Sequence, residues 1–547
     1  MDLMYRPLYL FGGNDNSVSV DYRMSPAKAP VYLDGGRTVS ITLRGWRWSD
    51  GEKVDAADVI FWLNMDEAEK DNLAGYVRGE LPDNLISYHV AGPDTVVLRL
   101  TRPYGSTWFT YNELAQITPM PLAWDVSSSG ARASSGGCER DSAADHWARC
   151  KAVYAYLTGQ SRDFGSYASP SSVWRVTDGP WRLSVFRFSG PVTMVPSRTY
   201  SGWPKPALSE LKFVAFPDDA ALFTALKAGR IDVAAVPQQY LPAKPPGRML
   251  PAGDPAGKSN YLQSAYSFAI NYYMLDFRDR RDSDLFDELY FRQALQELTD
   301  QQAIARVADR GYAVPTTAGV PDVPRSTWIS SDMTAHNGAG LYPYDPARAE
   351  SLLAAHGWSV IRGTLTCERP GKLASECGPG IRKGLTADLG AVMDWSGTVT
   401  PQTALGVVKA DLGVAGIRVT SAYGETLVGP GPCAQGCELA LQYLGGWEFN
   451  GPGYAPTGDL LFKTGAPWNF GLYSSATMDS LISAVQESNS RSAFDAYADY
   501  TASQLPVIWL PDPYAVVAVN SRLHGVSQSP LGSFYPEYWY FARPARH

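Results

Sequence analysis

The order of apolar and polar residues predicts most of the elements. Residues 39–70 read VSITLRGWRWSDGEKVDAADVIFWLNMDEAEK. Val39, Ile41 and Leu43 alternate with polar positions, the period of a strand with one buried face, and Trp46 and Trp48 continue it. Asp50-Gly51 supplies a turn. Asp55 stands where a helix N-cap belongs, with Asp58 three residues on as its capping-box partner. Val59, Trp62 and Leu63 give that helix an apolar face.

The same reading extends along the chain. Residues 18–31 predict a loop into a second strand, and residues 89–100 a hairpin turning at Gly92-Pro93-Asp94. Residues 127–142 form a Ser/Gly-rich insertion and residues 146–158 a helix. Residues 221–228 predict a helix closed by Gly229, followed by a strand over 231–235. The Pro- and Gly-rich residues 241–258 read as the approach to a domain boundary, with a strand over 267–273 beyond it. Asp345-Pro346 opens a helix with Ala349, Leu352 and Leu353 inward and Gly357 at its end. Residues 439–444 predict a strand that ends at Gly445-Gly446.

Composition narrows the class. A chain of 547 residues is too long for one core, so two or three domains are expected. With 19% charged and 45% hydrophobic residues it is a folded chain. The net charge of -8, with no basic run, argues against nucleic acid or an anionic membrane as partner. No apolar run is long enough to span a bilayer; residues 505–519 come nearest and are broken by Pro506, Pro511, Asp512 and Pro513. The six cysteines form three near-neighbour pairs, Cys138 with Cys150, Cys367 with Cys377 and Cys433 with Cys437. Three local disulfides and an oxidising compartment are the favoured reading. A zinc site is the poorer alternative, since no His lies near the last four and no C-x-x-C occurs.

A specific resemblance enters here. The string Leu43-Arg44, Trp48-Ser49-Asp50-Gly51, Val54, Ala57-Asp58-Val59 is similar to the "L-R-x-G-x-x-W/F-S-D-G-x-x-V-x-A-x-D-V" hallmark of the family 5 extracellular solute-binding proteins, the peptide- and nickel-binding receptors of bacterial ABC importers. Arg44-Gly45 lacks one spacer of the commonest form. Later stretches resemble the family in order. Gly179, Pro180 and Trp181 match a "G-T-G-P-Y/W" turn, Arg198, Tyr200 and Trp203 an "R-N-P-x-Y-W" segment, and Leu226, Gly229, Ile231 and Asp232 an "L-x-x-G-x-I-D" unit. Residues 108–121 resemble a short family helix, 291–300 "R-Q-A-L-x-x-A-x-D", 405–419 a helix leading to a "G-I-x-V" strand, and 493–525 the closing helix and crossover. Residues 1–4 carry no secretory signal, and the resemblance implies a strand ahead of Tyr5-Arg6-Pro7-Leu8 that is missing, as a trimmed or misplaced start would leave it.

The resemblance implies an α/β, two-lobed periplasmic-binding-protein fold of type II, cluster C, with an inserted subdomain. Lobe I would comprise residues 1–30, 165–258 and 508–547, the subdomain 31–164, and lobe II 259–507. It implies an extracellular, cell-surface or periplasmic monomer that closes on its ligand by bending near 259 and 508 and delivers it to permease subunits. No cofactor and no metal are implied, and membrane attachment falls to a lipid anchor outside this chain.

Catalytic signatures are absent: there is no G-x-S-x-G, P-loop, H-E-x-x-H or G-x-G-x-x-G after a strand, and the six His are scattered. A paired-carboxylate hydrolase stays open only because its two acids need not be neighbours in sequence. The stretch 440–461 carries the ligand reading. The resemblance makes Tyr443, Gly445, Gly446, Trp447, Glu448, Phe449 and Asn450, with Trp468 and Phe470, the ligand platform, and Tyr454 joins this aromatic cluster. In the peptide-binding branch a similar "G-W-x-x-D" edge pairs with the peptide backbone and its Asp holds the ammonium; here the acid position is Asn450. Glu448 or Asp459 would stand in for the acid. The bland alternative is a core tryptophan beside a loop. The favoured ligand is an oligopeptide; an oligosaccharide suits the aromatic faces as well, and an interaction protein on the same scaffold is the remaining alternative.

Overall fold

The computed structural model describes residues 2–12, 18–73, 76–127, 136–257, 260–277, 285–323, 328–393, 399–423, 439–449, 454–527 and 534–542. The alternation at Val39 and Ile41 becomes the strand Thr38–Thr42, which lies between Val31–Leu33 and Thr95–Leu100 in an antiparallel sheet completed by Leu85–Gly92. Val39 faces Leu98 and Ile41 faces Val96, and all four are fully buried. The strand stops at Thr42 and does not run on through the tryptophans, because Gly45 turns the chain at φ +72°. Trp46 and Trp48 are buried nonetheless, in a separate cluster with Tyr5, Val54 and Tyr200.

The helix Ala56–Glu69 carries the predicted capping box: Asp55 accepts from Ala57 N and Asp58 from Asp55 N, each at 2.9 Å. It buries two faces. Val59 and Leu63 pack on the sheet, while Phe61 and Met65 pack on Val153, Leu157 and the Cys138–Cys150 bridge. Trp62 is only half-buried, since the helical period places it between those faces. The helix Ala148–Ser161 crosses the outer face. Cys138–Cys150 and Cys367–Cys377 are disulfides as expected, with Cα atoms 4.4 and 6.1 Å apart. Cys433 and Cys437 lie outside the described residues.

Two further bodies flank this subdomain. One holds the antiparallel strands Trp181–Val185, Val192–Pro196 and Leu211–Phe213, and a second sheet in which Ala515–Asn520 lies between Val233–Ala235 and Asn260–Ala265. Its ends are tied together by Arg6, whose guanidinium pairs with Glu537 with both side chains wholly buried, while Arg6 N donates to Asp178 Oδ1 at 3.0 Å. The other body is a mixed sheet ordered Arg418–Tyr423, Asp388–Met393, Leu439–Glu448, Ala269–Leu275, Val507–Leu510, with the first three strands parallel. The helices Leu289–Glu297, Pro346–Ala355 and Val399–Val414 belong to its core. The chain passes between the two bodies twice, over 266–268 and 511–514. This is a two-lobed α/β architecture.

A further predicted strand end moves. The strand Leu439–Glu448 does not end at Gly445-Gly446 but runs through them. Tyr272 pairs with Gln442 and Ile270 with Trp447, so residues 443–446 stand opposite Asn271 alone. Such a bulge bends a strand without ending its pairing.

Candidate functional site

The bulged end of Leu439–Glu448 lies beside the first interlobe passage. Trp447 pairs with Ile270 and Glu448 with Ala269, and Phe449 N donates to Phe268 O at 2.8 Å. Ser267 Oγ donates to Glu448 Oε1 at 2.7 Å. Trp447 is half-buried against Trp468, ring centroids 5.4 Å apart, and Trp468 meets Phe470 at 5.7 Å. Phe449 is buried under Phe268 at 5.9 Å. Tyr443 and Gly445 lie on the same strand, and Asn450 lies outside the described residues.

Three residues behave differently from the sequence reading. Gly446 is close to backbone, but that backbone is the neighbouring strand: a Cβ there would sit 2.2 Å from Ile270 O and 2.8 Å from Asn271 Cα. Tyr454 leaves the Trp447 cluster and stacks on Phe11 of the opposite lobe, centroids 3.9 Å apart and planes 11° from parallel. Asp459 is no stand-in for a ligand-facing acid. It is buried, and its Oδ2 accepts from Trp108 Nε1 at 2.9 Å and Gln486 Nε2 at 3.4 Å, so it joins the subdomain to lobe II. Glu448 is exposed beside the passage.

An acid that sequence reasoning missed stands on the second passage. Asp512 is buried at 6% exposure, pairs in register with Val314, and its Oδ1 has no hydrogen-bond partner. Burial, then the charges of Glu448, Asp309 and Asp322, lift its carboxyl well above the ordinary range. Its flanking prolines Pro511 and Pro513 interrupt an apolar run in the sequence, and in the fold they mark the passage itself. Asn271 Nδ2, on the strand that follows the first passage, donates to Pro511 O at 2.9 Å and ties that strand to the second passage.

A chain of rings lines the junction of the three bodies. Phe11 meets Tyr111 at 4.8 Å, Tyr111 meets Trp328 at 6.1 Å, and Trp328 meets Phe268 at 5.8 Å and Phe494 at 5.9 Å. Among the described residues no group of three His, Cys, Asp or Glu converges to hold a metal. Flat apolar walls, a strand end and one exposed carboxylate suit capture of an organic solute by contact and hydrogen bonding.

The family model "Bacterial extracellular solute-binding proteins, family 5 Middle" matches residues 22–381. The glutathione-binding protein GsiB of Salmonella paratyphi A is 25% identical over 342 residues, 61% of this chain and 52% of that protein, so the match spans about half of that relative's length. The oligopeptide-binding protein OppA of Lactococcus lactis is 23% identical over 532 residues, 92% of this chain and 78% of that protein. Among solved structures, the Bacillus subtilis oligopeptide-binding protein AppA in complex with a nonapeptide superposes with a TM-score of 0.68 at 18% identity, covering 99% of this chain and 94% of that one. NikZ of Campylobacter jejuni in complex with Ni(L-His) gives 0.67 at 18% identity, covering 98% and 94%. These structures show the two-lobed fold.

Proposed function

The chain belongs to the bacterial extracellular solute-binding proteins of family 5, and from that premise we propose that it is the receptor of an ABC importer, capturing oligopeptides between its lobes. Binding of a solute, with no bond made or broken in it, is the activity. The observation that carries the interlobe site is the pair of passages at 266–268 and 511–514, side by side and bordered by Trp447, Glu448 and Phe449. Two adjacent strands crossing together form a hinge that bends without unfolding either lobe. The peptide class is supported by two relatives whose names specify peptides, an oligopeptide and the tripeptide glutathione.

In this reading the backbone of the bulged strand meets the peptide main chain, which every peptide offers alike, while Trp447, Trp468 and Phe470 meet its side chains. The closed conformer is the one a permease reads. The protein acts outside the cytoplasmic membrane; no helix among the described residues is long and apolar enough to cross one.

Mass spectrometry of material released from the denatured protein, followed by calorimetry with the peptide found, tests the ligand class; a recovered saccharide or an empty protein overturns it. Solution scattering tests the hinge. The radius of gyration is expected to fall and the melting temperature to rise at saturating peptide. An unchanged profile rules closure out.

A further inference from the structure

The hairpin of Trp181–Val185 and Val192–Pro196 in lobe I ends in a turn, closed by Gly190 N donating to Arg187 O at 3.1 Å. Turns favour Gly, Pro, Asn, Asp and Ser. Here Phe188 stands at the first corner, 77% exposed, the highest exposure of any large apolar side chain among the described residues. Lobe I gains little from a ring that it hardly covers.

Three more rings join it. Phe164, itself 43% exposed, stacks on Phe188 with centroids 4.8 Å apart and planes 26° from parallel. Tyr167 meets Phe164 at 5.8 Å and Phe186 at 5.0 Å. An exposed cluster of this kind marks a contact surface more often than a chance grouping.

Cations border the rings. Arg162, Arg175 and Arg187 are exposed, and each lies within two residues of Phe164, Trp174 or Phe188. Trp174 joins the cluster through Tyr167, at 6.2 Å. Over residues 160–192 Asp163 is the one exposed acid, so the chain's net charge of -8 is reversed in sign along this stretch. A search for basic runs passes over it, because the arginines are single and the fold brings their stretches together through the rings.

We propose that this patch is a membrane-contact surface, with Phe188 and Phe164 in the interfacial layer of an anionic bilayer and Arg162, Arg175 and Arg187 on its lipid phosphates. Charge complementarity selects this occupant. A bilayer interface accepts aromatic rings and arginine together, and it needs no shaped pocket for a side chain at the tip of a turn. Contact of this size is reversible, and it would orient lobe I on the membrane surface without inserting a segment. It does not depend on which solute the protein captures.

Flotation with vesicles of equal parts phosphatidylcholine and phosphatidylglycerol tests the surface. The chain is expected to rise with these vesicles at low salt, and to stay behind with pure phosphatidylcholine or at high salt. Phe164→Ser with Phe188→Ser is expected to weaken flotation about tenfold, and Arg162→Glu with Arg187→Glu by about as much. Leu373→Ser removes a side chain of lobe II that is 68% exposed and is expected to change nothing. Thermal melts establish that each variant is folded. A wild-type chain that never floats, or flotation that survives the paired Ser variant, overturns the proposal. So does self-association in sedimentation velocity that the paired Ser variant abolishes while vesicles bind nothing, which makes the patch an interface between copies.

Discussion

The indole Nε1 of Trp48 donates to Oδ2 of Asp58 at 2.9 Å, and the same oxygen accepts from Asp55 N at 2.9 Å. One buried carboxyl therefore closes the helix cap and holds the tryptophan of the preceding turn. Between them, Ser49 exchanges hydrogen bonds with lobe I: its N donates to Thr177 O at 2.9 Å and its Oγ to Arg175 O at 3.0 Å. The W-S-D-G…D string is thus a clamp that fixes the subdomain to the strand region after Thr177. Asp58→Ala is expected to cost about 1–3 kcal/mol in denaturant unfolding, because the buried Trp48 indole and the half-buried Asp55 N–H lose their acceptor. Asp50→Ala, on the exposed turn, is expected to cost far less.

Gly446→Ala is expected to destabilise lobe II by about 1–3 kcal/mol, the range of an overpacked site. The added carbon would meet Ile270 O at 2.2 Å, and backbone on both sides has little room to give. Hydrogen exchange of 269–275 is expected to quicken in the variant. A wild-type melting curve would show that the bulge relaxes freely.

Stability is expected to fall as pH rises from about 5 to 8. Glu80 and Glu113 of the subdomain lie in a buried cluster with Asp459 of lobe II, near Asp66 and Lys463. Burial, reinforced by the neighbouring carboxylates, lifts Glu113 to about 8 and Glu80 well above its usual range. The folded chain then keeps protons that the unfolded chain sheds above about pH 4.5, so this contribution is full below that pH and is lost through about 8. Asp58, raised to about 8, and Asp66, raised to about 7, act with the same sign. Glu80→Gln keeps an acceptor for Gln486 Nε2 and removes the charge, so the melting temperature should decline less steeply with pH. An identical slope in the variant would remove the cluster as its cause.

Removing the Cys138–Cys150 bridge by paired Ser substitution is expected to cost on the order of 2–4 kcal/mol, since it closes a loop of 12 residues and sits in the core with Phe61 and Val153. The loss should appear first in the subdomain, as faster exchange over Ala148–Ser161.

By the sequence resemblance Asn450 takes the position of the acid in a "G-W-x-x-D" stretch, and we propose that it shapes ligand choice. An amide donates as well as accepts, so free-amine peptides are expected to hold no large advantage over acetylated ones. Asn450→Asp should shift preference toward the free amine by an amount on the order of 1–3 kcal/mol in a desolvated site. Matched calorimetry decides it. A strong wild-type preference for the free amine would pass the role to Glu448, the exposed acid two residues away.

What the sequence determined by itself was local. The capping box at Asp55 and Asp58, the Gly92–Asp94 hairpin, the Asp345-Pro346 helix start and the two short disulfide loops depend on neighbours a few residues apart, and all took the form their residues dictate. The W-S-D-G string was legible because its clamp is built mostly from one stretch of chain. The remainder depended on partners hundreds of residues away. Asp459 reads as a loop acid until Trp108, 351 positions earlier, closes on it. Gly445-Gly446 reads as a strand end until the bulge opposite Asn271 shows the pairing continuing. Asp512 reads as a break in an apolar run, and only the pairing of two distant sheets puts it on the passage between lobes. Burial of a charge and close approach of two backbones are properties of the assembled interior, whereas periodicity and capping are written residue by residue.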